Sequence, residues 1–179
     1  MGKTTVAELV VAQLSDAVLF DPEEVGFLLR RRVPVPTGDF QDLRAWRHLT
    51  AVAIVAIAQE HQAAAGRVDL VVPMSLTDAT YRAEILGALD RAEVELHEFV
   101  LTAEPAELER RIENQELDPG DADRDRAARQ WRLARVGPVS DRLSSLVPVP
   151  RFVDTTTLTP EQVTAAILQI LSEVESQGG

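Results

Sequence analysis

Gly2-Lys3-Thr4-Thr5 is the first stretch of the chain whose residue types and spacing could do chemistry. It matches the closing half of the motif G-x-x-x-x-G-K-[ST], in which backbone N–H groups cradle phosphates and the lysine reaches them. Lys3 is also the only lysine among 18 basic residues. Because a compact ammonium contacts a phosphate as a point charge, which a planar guanidinium does badly, this bias favours a phosphate-binding Lys3 over a merely solvated one.

The composition narrows the possible classes of function. A chain of 179 residues, 45% hydrophobic and 26% charged, is typical of one globular domain with a sizeable core. The lack of cysteine excludes disulfides and thiolate chemistry. A net charge of −11 argues against a nucleic-acid surface, and no apolar run is long enough for a membrane span. We therefore expect a cytoplasmic protein that binds no nucleic acid and crosses no membrane; the sequence indicates no oligomeric state.

Apolar runs and helical patterns alternate along the chain, which predicts a parallel sheet covered by helices on both faces. The predicted strands cover residues 17–20, 68–74, 94–101 and 151–155. The predicted helices cover residues 6–14, 22–32, 43–65, 78–91, 105–116, 124–136, 140–145 and 159–176. We predict one α/β domain over residues 1–179, with a polar, arginine-rich lid over residues 113–137.

The position of the motif at the start of the chain carries a further expectation. In phosphate-loop proteins a hydrophobic strand leads into the glycine-rich loop, and the lysine opens the following helix. Here only Met1 precedes Gly2. We expect that the first strand and the start of the loop are missing from this sequence, as they would be after a start codon assigned too late.

Four stretches of sequence carry a resemblance to a known family: LFDPEEVGFLLRR, VPTGDFQDLRAWR, LVVPMSLTD and VDTTTLTPEQV. Together they resemble the tunicamycin-resistance protein family, small P-loop proteins of the nucleoside monophosphate kinase and shikimate kinase-like group. The resemblance covers nearly the whole chain, and GDFQD is its most specific part. It departs at the first glycine of the phosphate loop, for which this chain has no matching position.

The resemblance implies a three-layer P-loop kinase-like fold and ATP-dependent phosphoryl transfer to a small molecule. The implied acceptor is a hydroxyl of a nucleoside-type antibiotic, and the implied outcome is resistance. Phosphoryl transfer needs positioned phosphates, a magnesium ion and positive charge at the transition state. Gly2, Lys3, Thr4 and Thr5 would bind the ATP phosphates, with Lys3 on the β- and γ-phosphates and Thr4 coordinating Mg²⁺.

Asp21 ends the first predicted strand, at the carboxyl edge where open α/β sheets bind ligands. We interpret it as the general base for the acceptor hydroxyl, or as a magnesium contact through water. It could equally cap the helix predicted over residues 22–32, and the two roles are compatible. Glu24 is a weaker candidate for substrate binding, because acids are favoured in the first turn of any helix.

Three further residues are candidates for the acceptor side. Arg30 could face an anionic substrate, although arginines at helix ends often complement the helix dipole. Asp39 and Phe40 bring a carboxylate and an aromatic ring together in a loop. Asp39 could hydrogen-bond a sugar hydroxyl while Phe40 stacks on a ring. The alternative, which the sequence leaves equally open, is a turn residue followed by a core residue.

The predicted lid concentrates positive charge in an otherwise acidic chain. Arg126 and Arg129 recur at helical spacing and share one face of a helix. Arginines on a closing lid could neutralise the γ-phosphate and exclude water, which makes both catalytic candidates. Arg110 or Arg111, on the preceding helix, could pack on the adenine face. Pairing with neighbouring acids on the helix surface is the competing interpretation.

Readings from other classes stay open at this point. The chain could be a different P-loop enzyme that hydrolyses nucleoside triphosphates. It could instead bind ATP or a drug and protect by sequestration, without turnover. It could also be an inactive relative whose phosphate loop is incomplete.

Overall fold

The computed structural model describes residues 2–35, 37–66, 68–115, 120–143, 146 and 149–178. The strands are β1 (Ala17–Leu19), β2 (Asp69–Val71), β3 (Phe99–Thr102) and β4 (Arg151–Asp154). The helices are α1 (Lys3–Gln13), α2 (Glu23–Leu29), α3 (Arg44–Ala65), α4 (Ala79–Arg91), α5 (Pro105–Glu113), α6 (Ala122–Leu133), α7 (Val136–Leu143) and α8 (Pro160–Gly178), with a 3-10 helix at Phe40–Asp42. The chain divides into two compact units, residues 2–97 with 160–178, and residues 98–159.

The larger unit, residues 2–97 with 160–178, is built on the parallel pair β1–β2. Ala17 lies opposite Asp69 and Leu19 opposite Val71, and the Phe20 N–H extends the ladder to the Val71 carbonyl at 3.0 Å. Helix α1 packs against both β1 and α8. Only three residues connect α1 to β1, so the helix must run back along the strand. The N-terminus of α1 and the carboxyl end of β1 therefore lie at the same end of this layer.

The core of the larger unit lies where α3 packs on α4. Its fully buried apolar residues are Trp46, Ala51, Ile54, Ile85 and Leu89. Half-buried apolar side chains from Phe20 just after β1, from α2 and from the segment after β2 surround this cluster. Residues of α2 and of the segment that follows β2 pack in one cluster with α3, so α3 determines the positions of both.

A close contact joins α2 to the 3-10 helix. Gly26 is buried in α2, and any Cβ at that position would overlap the Phe40 ring. Phe40 also meets Phe27 edge-on, with 5.6 Å between ring centroids and planes at 89°. This approach explains a glycine in the middle of a short helix, where it is otherwise unfavourable.

The smaller unit, residues 98–159, is built on the parallel pair β3–β4, with Phe99 opposite Arg151 and Thr102 opposite Asp154. Arg111 of α5 ties the pair to the segment after β4, since it donates to the Thr155 carbonyl at 2.5 Å and to Thr155 Oγ1 at 3.1 Å. Glu107 accepts hydrogen bonds from Arg110 at 2.7 Å and from Arg111 at 2.6 Å.

Most predicted elements lie within a few residues of their observed bounds, and the third strand is the main exception. The strand expected over residues 94–101 begins only at Phe99. The Val94 N–H bonds to the Leu89 carbonyl, so this segment completes the end of α4 before the strand starts. The helix expected over 140–145 begins earlier, at Val136. Residues 116–119 lie outside the described residues, as do residues 144 and 145. The first group belongs to the predicted lid and to the end of the helix predicted over 105–116, and the second to the helix predicted over 140–145.

Gly26→Ala should destabilise the protein, because the added methyl overlaps the Phe40 ring. We expect a loss of about 1–3 kcal/mol in the free energy of unfolding, the usual cost of overpacking. Gly87→Ala in α4 is the matched control, since its methyl would meet only the mobile tip of Arg91 at 3.4 Å. It should be neutral or gain up to about 1 kcal/mol. Denaturant unfolding measures both; equal stability of the two variants would contradict the contact.

Glu107 should make stability depend on pH at the acid end. Hydrogen bonds from Arg110 and then Arg111 lower the pKa of Glu107 to about 2. A carboxyl whose pKa is lowered on folding stabilises the protein above its ordinary pKa of 4.5. That contribution is lost as the pH falls from 4.5 towards 2.

The test is Glu107→Gln compared with Glu109→Gln, which changes an exposed acid of the same helix. We expect Glu107→Gln to lower the melting temperature at pH 7, with the deficit shrinking as the pH falls below about 4.5. Glu109→Gln should show little effect throughout. A deficit for Glu107→Gln that does not change between pH 7 and pH 2 would rule out the ion-pair explanation.

Candidate functional site

The N-terminus of α1 presents the phosphate-motif residues in its first turn. Gly2 precedes the helix with φ 94°, a left-handed conformation that favours glycine. Its carbonyl accepts the Val6 N–H at 2.9 Å, which starts the helical ladder. Thr4 and Thr5 are exposed and Lys3 is half-buried. The first turn contains no acid, and the positive end of a helix attracts anions.

Asp21 lies two residues after the end of β1, at the end of the layer that also holds the N-terminus of α1. Its Oδ1 accepts the Glu23 N–H at 2.9 Å and its carbonyl accepts the Glu24 N–H at 3.1 Å. Asp21 is half-buried and Glu24 is exposed in the first turn of α2. Asp21 therefore makes a hydrogen bond of the kind predicted for a helix cap, although Pro22 is the residue that directly precedes α2. The bond holds the carboxylate in one orientation.

Helix α3 fixes the backbone that follows Asp21. The Trp46 indole N–H donates to the Pro22 carbonyl at 2.8 Å, and both residues are buried. The Pro22 carbonyl also accepts the Gly26 N–H at 3.3 Å, whereas a buried indole N–H without a partner is costly. The bond from Trp46 therefore holds the start of α2 against α3. The sequence alone did not single out Trp46.

Asp39 and Phe40 lie within residues 37–42, a segment that we call the 37–42 loop. Asp39 Oδ1 accepts the Gln41 N–H at 3.2 Å, and its Oδ2 accepts from Gln41 Nε2 at 2.8 Å. Phe40 is half-buried against α2 rather than fully open to solvent. Arg30, at the end of α2, stacks over the Phe27 ring at 5.2 Å. The structure thus brings Phe40 and Arg30 to α2, while the Asp39 carboxylate contacts Gln41.

A buried polar network behind the 37–42 loop was not predicted. Arg47, only 7% exposed, donates to the Gln41 carbonyl at 2.6 Å and to Glu84 Oε2 at 2.7 Å. It also stacks over the Tyr81 ring at 3.9 Å. The hydrogen bond from Arg47 holds the pKa of Glu84 below its usual value. The sequence did offer one signal, since Arg47 lies three, four and seven residues before the buried positions 50, 51 and 54 of α3.

The lid candidates belong to the smaller unit, where each is engaged by an acid of its own helix. Arg126 donates to Asp123 at 3.0 Å and Arg110 donates to Glu107 at 2.7 Å. Arg129 donates to Asp125 at 2.5 Å and to the Glu113 carbonyl at 2.7 Å, at the end of α5. The competing interpretation, surface pairing within a helix, thus describes Arg126 and Arg110 as they stand. Arg129 additionally connects α6 to α5.

Among the residues that the structure describes, no helix is long and apolar enough to cross a membrane. No group of three or more His, Cys, Asp or Glu side chains there could hold a metal ion. A magnesium ion bound with a nucleotide has a different donor set, one hydroxyl together with phosphate oxygens and water. The exposed hydroxyl of Thr4 fits that set.

The AAA domain family matches residues 1–139. No curated protein matches the chain. The chain is similar to the solved structure of the Deinococcus radiodurans tunicamycin resistance protein, with 26% identity and a TM-score of 0.71 over 95% of this chain and 88% of that one.

These comparisons agree with the parallel strand pairs and with the phosphate-motif helix, and the predicted α/β P-loop kinase-like fold is confirmed. The predicted resemblance to the tunicamycin-resistance family is confirmed as well. The chain belongs to the AAA domain family and is a P-loop, nucleotide-binding protein.

Proposed function

We propose that the protein is an ATP-dependent phosphotransferase that modifies a hydroxyl of a nucleoside-type antibiotic and so confers resistance. The observation that carries the proposal is the exposed first turn of α1, with Gly2 before it and Asp21 at the same end of the layer. This arrangement supports the proposal of a phosphate site at the end of the layer that also carries a carboxylate. The similarity to a tunicamycin resistance protein supports the choice of acceptor class.

On the phosphate side, the first-turn N–H groups and the helix dipole would bind the ATP phosphates. Gly2 keeps the backbone open to them, and Lys3 would contact the β- and γ-phosphates. Thr4 would hold Mg²⁺ through its hydroxyl, with Thr5 beside it as a further phosphate ligand. When bound, Mg²⁺ neutralises charge on the phosphate oxygens.

On the acceptor side, Asp21 would take the proton of the acceptor hydroxyl as its oxygen attacks the γ-phosphorus. The bond from that phosphorus to the β–γ bridging oxygen breaks, and ADP leaves with the bonding pair. Asp39 would accept a hydrogen bond from the acceptor, and Phe40 would offer the exposed part of its ring. Glu24 and Arg30, which are exposed on α2, complete the proposed binding surface.

For the smaller unit we propose roles for three arginines only. Arg126 and Arg129 are the proposed lid arginines that neutralise charge during transfer, and Arg110 is the proposed adenine contact. Each would have to exchange the acid it now pairs with, Asp123, Asp125 or Glu107, for a phosphate or a base. Since ATP is a cytoplasmic metabolite, we propose that the reaction takes place in the cytoplasm. We also keep the proposal of a single domain over residues 1–179.

A second function, sequestration of the antibiotic without turnover, is favoured by one observation. Asp21 Oδ1 already accepts the Glu23 N–H, so its presence is explained by capping alone. A protein of this kind would bind ATP and the drug without forming a product. Mass spectrometry of tunicamycin after incubation with the protein, ATP and Mg²⁺ separates the two, since only the kinase adds a phosphoryl group.

Lys3→Ala tests the phosphate site. Because the lysine contacts charge that develops in transfer, we expect turnover to fall by about 10²–10³-fold, with weaker ATP binding. Glu8→Ala, on the exposed side of α1, is the matched control and should leave both unchanged. ATP affinity by calorimetry and product by mass spectrometry are the measurements. Wild-type values for Lys3→Ala would mean that the motif match is accidental.

Asp21→Asn and Asp21→Ala together separate catalysis from capping. The asparagine oxygen can still accept the Glu23 N–H, so Asp21→Asn should keep the stability and the ATP affinity of the wild type. If Asp21 is the base, turnover should nevertheless fall by about 10²–10⁴-fold. Asp21→Ala should in addition lose about 1 kcal/mol of stability. Normal turnover by Asp21→Asn would leave Asp21 as a cap alone.

A further inference from the structure

The side chain of Arg47 is charged and lies in the interior of the larger unit, where that side chain is 8% exposed. Three neighbouring residues contact its guanidinium. Nη1 donates to the Gln41 carbonyl at 2.6 Å, and Nε and Nη2 donate to the Glu84 carboxylate at 2.7 and 3.4 Å. The guanidinium plane lies over the Tyr81 ring at 3.9 Å. The N–H groups of the guanidinium donate hydrogen bonds and its flat face stacks on a ring, and a lysine could not make both kinds of contact.

The contacts of Arg47 continue through Gln41 to Asp39. Gln41 is 7% exposed, and its backbone N–H and Nε2 donate to the two oxygens of Asp39 at 3.2 and 2.8 Å. Its Oε1 accepts the Thr77 N–H at 3.3 Å, from the segment after β2. The side chain and both backbone groups of Gln41 are therefore committed, and its position determines the orientation of the Asp39 carboxylate.

Stability alone is a weak reason for such an arrangement. A buried ion pair often stabilises a protein no more than apolar side chains of the same volume, because desolvation offsets the attraction. What the pair supplies here is a fixed donor for the Gln41 carbonyl, which joins the 37–42 loop and its 3-10 helix to α3. The loop carries two of the proposed acceptor-binding residues, Asp39 and Phe40.

We propose that Arg47 is a positioning residue, which acts through Gln41 to hold the Asp39 carboxylate ready to accept a hydrogen bond from a hydroxyl or N–H group of the acceptor. Each oxygen of an ionised carboxylate has two lone pairs, so the two bonds from Gln41 leave acceptor capacity for such a donor. The proposal rests on the proposed function for the identity of the ligand. The holding of the 37–42 loop rests only on the geometry of the network.

Arg47→Met is the test variant, because methionine fills much of the same space and removes every donor. Arg44→Met is the matched control, an exposed arginine one turn earlier on the same helix. Hydrogen exchange measured by NMR should be about tenfold faster at the Gln41 and Thr77 amides in Arg47→Met, the scale of one lost hydrogen bond to a charged group. Arg44→Met should exchange like the wild type. Equal exchange in the two variants would overturn the proposal.

The ligand readout uses tunicamycin and ATP, each titrated by calorimetry. We expect Arg47→Met to bind tunicamycin about tenfold more weakly while its ATP affinity stays within about twofold, and turnover should show a raised KM for the acceptor with little change in kcat. Equal losses for both ligands would indicate general destabilisation and overturn the positioning role. If the wild type does not bind tunicamycin, the proposed acceptor class fails, and the exchange at Gln41 and Thr77 still decides whether Arg47 holds the loop.

Arg47→Met/Glu84→Met separates positioning from stability. The double variant replaces the ion pair by two apolar side chains and leaves no unpaired charge, so its melting temperature should recover relative to Arg47→Met. Exchange at Gln41 should stay fast, because the donor for its carbonyl is still absent. Recovery of slow exchange together with stability would overturn the proposal, since any tight packing would then suffice.

Discussion

The first turn of α3 carries two buried side chains that must find hydrogen-bond partners, and much of the larger unit follows from how they do so. Trp46 donates to the Pro22 carbonyl at 2.8 Å, and Arg47 donates to the Gln41 carbonyl at 2.6 Å. Burial makes both bonds obligatory, since an unpaired donor or acceptor in the interior is costly. Two adjacent residues thus fix the backbone beside Asp21 and the backbone of the 37–42 loop. The two proposed acceptor-side carboxylates, Asp21 and Asp39, share this single support.

The sequence was informative wherever local rules decide the structure. Asp78 caps α4 by accepting the Thr80 and Tyr81 N–H groups at 2.9 and 3.1 Å, and the predicted helix began at that residue. Pro160 opens α8 as its fixed φ allows. The third strand was placed too early because residues 94–98 alternate like a strand, whereas the bond from the Val94 N–H to Leu89 keeps their start with α4. Alternation predicts an extended backbone, but it does not predict which neighbour supplies the hydrogen bonds.

The candidate site was predictable only in part, for the same reason. Asp21 and the residues of the phosphate motif stand at positions that a short pattern identifies. Arg47 and Glu84 are 37 residues apart in the chain, and nothing local indicates that they meet. The arginine pattern of α6, by contrast, lies within a single helix. It indicated a basic face, but Arg126 and Arg129 reach back over three and four residues to pair with Asp123 and Asp125.

Capping and catalysis make compatible demands on Asp21. A general base has to be held within hydrogen-bond reach of the proton it takes, and a free side chain on a loop is poorly suited to that. The Glu23 N–H fixes one oxygen of Asp21 at 2.9 Å, and the buried Pro22 that follows is itself held by Trp46. Since a carboxylate has lone pairs beyond those that one N–H occupies, the cap orients the group and leaves it able to accept a further proton. The bond that explains Asp21 as a structural residue is therefore also the one that would hold it in place for transfer.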